Sequence, residues 1–394
     1  MDDQDNFTFD SSLGVEDESD LSPLDKSDVV NVSVTGTDWT TETILSQLDK
    51  GNIELNPRFQ RRDAWEQGRK SLFIESLILG LPIPQIVLAE RKDVRGKYIV
   101  LDGKQRLLCL RQFTTINPES QFRTFKLRGL EIRKDLEGVS FESLSQDLIF
   151  RNDLANFENQ PIRTVVVRNW RSESLLFHVF LRLNRGSKPL SPQELRQALH
   201  PGPFLDFADE RSTSSKAIRE ILRLKEPDFR MRDVELTIRY LSFKHRLKYY
   251  RGNMKTFLDD ACSTFNEEWT DISRQFDDDI NELESAHLLA KTVFGRDFNY
   301  GKWTGKAFER RFNRAVFDII IAALTNPSLA AAIEDEPDKA RLEYQKLCET
   351  DSKFLESIER TTKSLESMRY RFNTIFTQLS EAYNVVALAP EIGF

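Results

Sequence analysis

The strongest chemical signal in the sequence is a run of polar residues directly after an apolar, β-branched stretch. Tyr98-Ile-Val-Leu is followed by Asp102-Gly103-Lys104-Gln105-Arg106, and a second apolar stretch comes next. This order predicts a strand that delivers polar side chains to the first turn of a helix, where backbone amides favour anions. Glycine lets a ligand approach the backbone closely. With its two cations, the run predicts a phosphate site in which Asp102 supplies an acid or a Mg²⁺ ligand.

Two further polar clusters lie at predicted element boundaries, where binding groups are common. One spans residues 56–63 and includes Gln60 and Arg61; the other is Asn184-Arg185-Gly186-Ser187-Lys188. Arginine offers a planar fork to phosphate oxygens, and lysine a point charge. We therefore expect the three clusters to form one nucleotide pocket.

Each candidate residue has an expected role in that pocket. The catalytic candidates are Asp102, which is also the metal candidate, and Gln105; the nucleotide-binding candidates are Gln60, Arg61, Gly103, Lys104, Arg106, Asn184, Arg185 and Gly186. Arginine and lysine are expected to hold phosphates, the two glutamines to orient the ligand, and Asn184 to close the site.

Other interpretations of the same clusters stay open. An Asp-Gly pair after a strand is most often an ordinary turn, and Asn184-Arg185-Gly186 is typical of a helix end. The arginines near residue 60 are also typical of a solvated surface. Neither of the two familiar glycine-rich nucleotide-binding motifs is present in the sequence. Composition alone does not show that the three clusters converge.

The elements that would position these residues form an α+β unit. The predicted helices are 41–49, 69–79, 106–113 and 173–182, with another opened by Ser191-Pro192-Gln193-Glu194. The predicted strands are 53–55, 85–89, 97–101, 125–132 and 162–167, of which 85–89 and 97–101 form a hairpin. Helical periods dominate from about residue 204.

The chain thus divides into three parts: an acidic tail at 1–36, an α+β domain at 37–203 and an all-α domain at 204–394. Residues 1–28 carry ten acidic side chains and one lysine, and the whole chain has a net charge of −7. Such a tail is typical of disorder, and it could also mimic nucleic-acid charge at a basic site. The rest of the chain is close to neutral, which is weak support for DNA binding.

The bulk composition favours a cytoplasmic protein. No stretch of about 18 apolar residues predicts a membrane span, and the acidic start is unlike a targeting signal. The three cysteines and four histidines are scattered, which argues against a disulfide framework or a zinc site. The predicted C-terminal helices at 338–348 and 351–383 are long enough to form the interface of a homodimer.

An ordered set of motifs resembles the GmrSD-type restriction N-terminal domain family, the bacterial "DGQQR" proteins. The resemblance spans about residues 38–320. Its motifs are Pro57-Arg-Phe-Gln60-Arg61 with Trp65, Ile74-Glu75-Ser76-Leu77, Pro82-Ile-Pro84, Asp102 to Arg106, Phe180-Leu-Arg-Leu-Asn184-Arg-Gly186, Leu190-Ser191 with Glu194-Leu195, Arg230-Met-Arg-Asp233-Val-Glu235-Leu, Tyr250-Arg-Gly252 and Phe312-Asn313.

The resemblance implies a ParB/sulfiredoxin-like fold for the first domain, with a small mixed sheet. It also implies a nucleotide-binding, NTP-hydrolysing, Mg²⁺-dependent sensor or regulator in restriction or phage defence. This chain has Lys104 where the family more often has glutamine. The resemblance therefore implies nucleotide binding more strongly than nucleotide hydrolysis. Residues 321–394 hold no histidine, so no HNH nuclease domain is recognised. The alternatives are a DNA-binding nuclease that uses the Asp102 cluster, and a non-enzymatic partner of a separate nuclease.

Overall fold

The computed structural model describes residues 30, 32–53, 55, 63–117, 122–173, 175–176, 178–179 and 191–393. The chain forms two compact units. The first contains the residues described up to Leu199 together with Phe229–Met231, and the second contains His200–Asp228 and the chain from Arg232 onward. A small mixed sheet with helices in the first unit, and helices in the second, confirm the α+β prediction.

The sheet of the first unit has four strands in the order β1-β4-β2-β3. They are β1 (Ser33–Thr40), β2 (Ile86–Glu90), β3 (Tyr98–Asp102) and β4 (Pro161–Arg168). β1 pairs antiparallel with β4, and β2 pairs antiparallel with β3. β2 also pairs with β4, in parallel. The predicted hairpin of β2 and β3 is therefore confirmed, and β4 lies inside the sheet.

Both faces of the sheet are covered, because alternate residues of a strand point to opposite sides. Ile86 and Leu88 pack into one core with helices of the first unit, whereas Val87 and Ala89 pack into another that contains Trp170. This explains why β2 is apolar at every position but the last.

The helices of the first unit are mostly those that the sequence predicts. They are α1 (Thr41–Asp49), α2 (Gln67–Ile78), α3 (Lys104–Thr114), α4 (Phe141–Gln146), α5 (Arg151–Asn159) and α6 (Pro192–Leu199). α1 begins where the Thr40 hydroxyl accepts a hydrogen bond from the Thr43 amide. The helix predicted at 173–182 is helical at the five positions described in it, up to residue 179.

The strand predicted at 125–132 is wrong. Leu127 and Leu130 are buried as the pattern implied, but the backbone there joins no sheet. Its amide groups bind a side chain instead: the carboxylate of Glu75 accepts hydrogen bonds from Glu131, Ile132 and Arg133 at 2.6–3.1 Å. Burial raises the pKa of Glu75, but these bonds outweigh it and the net shift is downward.

The sheet starts earlier than the sequence indicated. β1 begins at Ser33, ahead of residue 37, where we began the first domain. Its Thr, Gly and Asp residues are mostly exposed, so they carry no apolar alternation to predict a strand. Of the strand predicted at 53–55, Ile53 forms only an isolated bridge with Tyr98. Residues 1–29 of the acidic tail lie outside the described residues.

The second unit is built from helices. They are α7 (Pro203–Ser214), α8 (Lys216–Ile221), α9 (Arg232–Arg246), α10 (Met254–Glu267), α11 (Trp269–Phe294), α12 (Arg314–Leu324), α13 (Pro327–Asp335), α14 (Pro337–Thr350), α15 (Ser352–Glu359) and α16 (Leu365–Tyr383). The single helix predicted at 351–383 is therefore two, α15 and α16. Within the part of the chain that the structure describes, no one helix meets the length and hydropathy test for a membrane span; α12 and α13 meet it only as a pair bent by 88°.

Candidate functional site

The five predicted residues Asp102, Gly103, Lys104, Gln105 and Arg106 form a sharp connection that we call the β3–α3 corner. β3 ends at Asp102, and α3 begins at Lys104, so Gly103 alone makes the turn. Its φ of +97° is a left-handed conformation that side chains disfavour. A Cβ atom at this position would lie 3.1 Å from Cγ1 of Ile86. The corner therefore requires glycine.

The first hydrogen bond of α3 begins only at Leu107. Gly103 caps the helix without any side-chain hydrogen bond, and the first helical bond runs from the Leu107 amide to the Gly103 carbonyl at 3.0 Å. The amides of the three preceding residues have no partner within the helix. Together with the positive end of the helix dipole, they make this end of α3 suitable for an anion.

Asp102 and Arg106 form an ion pair across the corner. Nη2 of Arg106 donates to Oδ2 of Asp102 and to the carbonyl oxygen of Gln85, each at 2.8 Å. The Asp102 side chain is 34% exposed, and among the residues described nothing is hydrogen-bonded to its Oδ1. One carboxylate oxygen is thus held by Arg106, and the side chain remains partly exposed.

Lys104 does not face the site. Its ammonium lies 2.9 Å from Oε1 of Glu194 on α6, and both side chains are less than one-tenth exposed. Glu194 compensates the charge of Lys104 inside the fold, so phosphate binding by Lys104 stays a prediction that this contact does not favour. The residue connects α3 to α6 instead.

Glu194 also completes the predicted capping box of α6. Its Oε2 accepts a hydrogen bond from the Ser191 amide at 2.7 Å, and its own amide donates to the Ser191 hydroxyl at 3.1 Å. The same hydroxyl donates to the carbonyl oxygen of Arg230 at 2.6 Å. The capping box predicted from Ser191 and Glu194 is confirmed, and it is buried against Lys104.

Gln105 contacts the chain just after the first predicted cluster. Its Oε1 accepts a hydrogen bond from the Ala64 amide at 3.4 Å. The preceding residue, Asp63, is held by Lys70 and by Nε2 of Gln112, the latter at 3.0 Å. Since Gln112 belongs to α3, this helix is bonded to the end of the first cluster twice.

The β3–α3 corner therefore meets the flanks of both other clusters. Gln105 touches Ala64, which follows the first cluster, and Lys104 touches Glu194, which follows the third. Five predicted residues, Gln60, Arg61, Asn184, Arg185 and Gly186, lie outside the residues that the structure describes.

Two residues of the site were missed by sequence reasoning. They are Gln112, which ties Asp63 of the first cluster to α3, and Gln85, whose carbonyl orients Arg106. No sequence signal marks these contacts, since Asp63 and Gln112 are 49 positions apart. Glu194 was recognised as a helix cap, but its ion pair with Lys104 was not predicted.

Comparison with known families supports the resemblance stated from the motifs. The family model described as GmrSD restriction endonuclease, N-terminal domain, matches residues 41–201. The match begins with α1 and ends just after α6, so it contains the β3–α3 corner and three of the four strands. No curated protein and no solved structure matches the chain.

Proposed function

We propose, on the premise that the chain belongs through residues 41–201 to the GmrSD restriction endonuclease N-terminal domain family, that its first unit binds a nucleoside triphosphate. The family indicates a component of a restriction or defence system. The bound nucleotide would then report to that system. We extend the proposal to a regulatory, NTP-hydrolysing role in the cytoplasm, beside a separate nuclease or DNA, as a monomer or homodimer.

The observation that carries the proposal is the meeting of chain segments at the β3–α3 corner. Adjacent residues Gln105 and Lys104 hold the flanks of the two other polar clusters, at Ala64 and Glu194. Segments far apart in sequence are thus anchored at one helix start. This supports the convergence that Arg61 and Asn184 need to reach the same ligand as Arg106.

The start of α3 is the proposed phosphate site. The positive end of the helix dipole and the Arg106 guanidinium supply positive charge at one end of a helix. Arg106 has a second role, because its Nη2 also orients the Asp102 carboxylate. Lys104 contributes indirectly by holding α6, which begins just after the third cluster.

Asp102 fits the role of a magnesium ligand. Mg²⁺ in nucleotide sites is usually bound through one or two carboxylates together with phosphate oxygens and water. The Asp102 carboxylate is fixed at Oδ2 and partly exposed, and it lies beside the proposed phosphate site. Mg²⁺ would neutralise phosphate charge there. Gln105, held at its Oε1 by Ala64, keeps its amide nitrogen as a donor to the ligand or to a water molecule.

Isothermal titration of the full chain tests the proposal. We expect at least one of ATP, GTP, CTP and UTP to bind in the presence of Mg²⁺, and Asp102→Asn to weaken that binding at least tenfold. Asp38→Asn is the matched control, because Asp38 is an exposed carboxylate of β1 paired with Arg163. Phosphate release from the same samples measures hydrolysis, and nicking of plasmid DNA tests the nuclease alternative.

The contrary result is simple. If the wild-type chain binds none of the four triphosphates, with or without Mg²⁺, the nucleotide proposal is wrong. Divalent-dependent nicking that Asp102→Asn abolishes would instead assign the corner to a nuclease.

A further inference from the structure

The second unit contains a cavity of about 250 Å³ whose lining includes five aromatic side chains. Its walls come from α9, α12 and α16, and include Tyr240, Phe243, Phe317, Ile321, Phe372 and Phe376. We call this the aromatic pocket. All the residues that line it belong to the second unit, so nothing in the argument below depends on the β3–α3 corner.

The aromatic pocket is open to solvent. Leu388 and Pro390, from the segment that follows α16, form part of its lining. Leu388 is 84% exposed, which places this side of the pocket at the surface. A small molecule therefore has a route in without any rearrangement of the helices.

The charges that line the pocket are already compensated. Asp318 accepts two hydrogen bonds from Arg239, at 2.8 and 2.7 Å, and Arg371 lies 3.8 Å away. Lys244 lies 2.8 Å from Asp279 and also pairs with Glu282. Neither a cation nor an anion would find an unbalanced opposite charge, so the pocket suits an uncharged ligand.

Hydrogen-bonding groups remain for such a ligand. Each oxygen of Asp318 accepts one bond from Arg239, whereas a carboxylate has about four acceptor positions. Asn326 uses its Oδ1 to cap α13, which leaves its amide nitrogen as a donor. The Thr325 hydroxyl donates to the Ile321 carbonyl and can still accept. The lining thus offers both acceptors and a donor.

We propose that the aromatic pocket binds an uncharged planar heteroaromatic ring with an amino group, the chemical class of a nucleobase. Flat walls of aromatic side chains stack on such rings, whichever base is present. The edge of a base carries donors and acceptors together, which matches Asp318, Thr325 and Asn326. A purely apolar ring would use the walls but leave these polar groups unmatched.

Ligand-observed saturation-transfer NMR and isothermal titration of the full chain test this inference. The probes are 9-methyladenine and 1-methylcytosine, with toluene as a planar ring that has no hydrogen-bonding edge. We expect both bases to bind at least tenfold more tightly than toluene. Asn326→Asp keeps a capping oxygen for α13 but removes the donor, and should weaken both bases without weakening toluene.

A variant with a larger side chain in the cavity tests whether the bases bind there. Ala322 lies in the lining, is only half-buried and has no side-chain bond to lose, so Ala322→Phe should occupy the space and reduce binding at least tenfold. Ala331→Phe, at an exposed position of α13, is the matched control and should bind like the wild type. Thermal melts verify that both variants fold.

Three results would overturn the inference: neither base binds, toluene binds as tightly as the bases, or a folded Ala322→Phe chain binds them like the wild type. Loss of triphosphate binding in Asp102→Asn, by contrast, would leave these measurements unchanged, so the two proposals fail separately.

Discussion

At the scale of single residues, Lys104 shows what a local pattern leaves out. A lysine that follows glycine at a helix start is typical of phosphate binding, and the sequence offers no sign of another partner. That partner, Glu194, is 90 positions away and is itself readable as a helix cap. Asp102, Gly103, Gln105 and Arg106 do lie together at the corner because they are consecutive. Only long-range contacts escaped prediction.

The buried pair of Lys104 and Glu194 gives a stability prediction. Lys104→Met would leave the Glu194 carboxylate buried without its cation, which costs about 3–5 kcal/mol in the free energy of unfolding. The double variant Lys104→Met/Glu194→Gln should recover part of that loss, because the unpaired charge is gone. Urea denaturation of the two single variants and the double variant measures the coupling.

A surface ion pair provides the control. Lys353 and Glu366 are both more than half exposed, so Lys353→Met should change stability by less than about 1 kcal/mol. Equal losses for Lys104→Met and Lys353→Met would contradict the structural role assigned to Lys104.

At the scale of elements, the best predictions rested on signals that act over a few residues. The hairpin of β2 and β3 follows from a turn signal, α1 from its amphipathic pattern, and the start of α6 from a capping box. The strand predicted at 125–132 is wrong: Glu75, far away in sequence, binds the amides of Glu131 and Ile132, and Leu127 exchanges backbone hydrogen bonds with residues 138 and 139. β1 was missed because it lacks an apolar pattern of its own and is extended through its pairing with β4.

The turn at Gly103 gives a second prediction. Gly103→Ala imposes a side chain on a left-handed residue and brings its Cβ to 3.1 Å from Ile86 and 3.3 Å from Arg106. Gly138 is also left-handed, with φ +82°, but a Cβ there meets nothing within 4 Å. Gly138→Ala should therefore cost about 1–2 kcal/mol from the backbone alone, and Gly103→Ala more than that.

The measurement is urea denaturation of both variants, followed by triphosphate titration. Gly103→Ala should also weaken nucleotide binding, since it displaces Arg106, whereas Gly138→Ala should not. Equal stability losses and unchanged binding in both would show that the close contact at the corner has no consequence.

At the scale of the whole molecule, the sequence predicts two units because strand patterns give way to helical periods near residue 204. It does not predict that Phe229–Met231 belongs with the first unit. Within the first unit, the Ser191 hydroxyl donates to the Arg230 carbonyl, a contact that residue types do not reveal. The split between α+β and all-α units can thus be predicted from the sequence, but the assignment of Phe229–Met231 to the first unit cannot.

The distribution of charge over the molecule gives a third prediction. Residues 1–28 contain ten acidic side chains and one lysine, a net charge of −9, whereas the whole chain has a net charge of −7. Deleting them leaves a nearly neutral protein, so the electrostatic repulsion between the protein and a polyanion such as DNA falls. We expect binding of duplex DNA at low salt to tighten at least threefold, and the gain to vanish as salt screens it.

Replacement of the same residues by an uncharged Gly/Ser segment separates charge from length and should give the same gain as deletion. Fluorescence anisotropy of labelled DNA across a salt series makes the comparison. If both forms bind DNA like the full chain, the acidic segment does not oppose nucleic-acid binding.

The strand order has a consequence for biosynthesis. Among the strands in the described parts of the chain, β1 pairs with β4 alone, yet more than a hundred residues separate the two. At ribosomal rates this is a wait on the order of ten seconds, during which β1 has emerged and β4 has not. Because β1 is rich in Thr and Gly and poor in large apolar groups, it can remain solvated through that interval without recruiting another nascent chain.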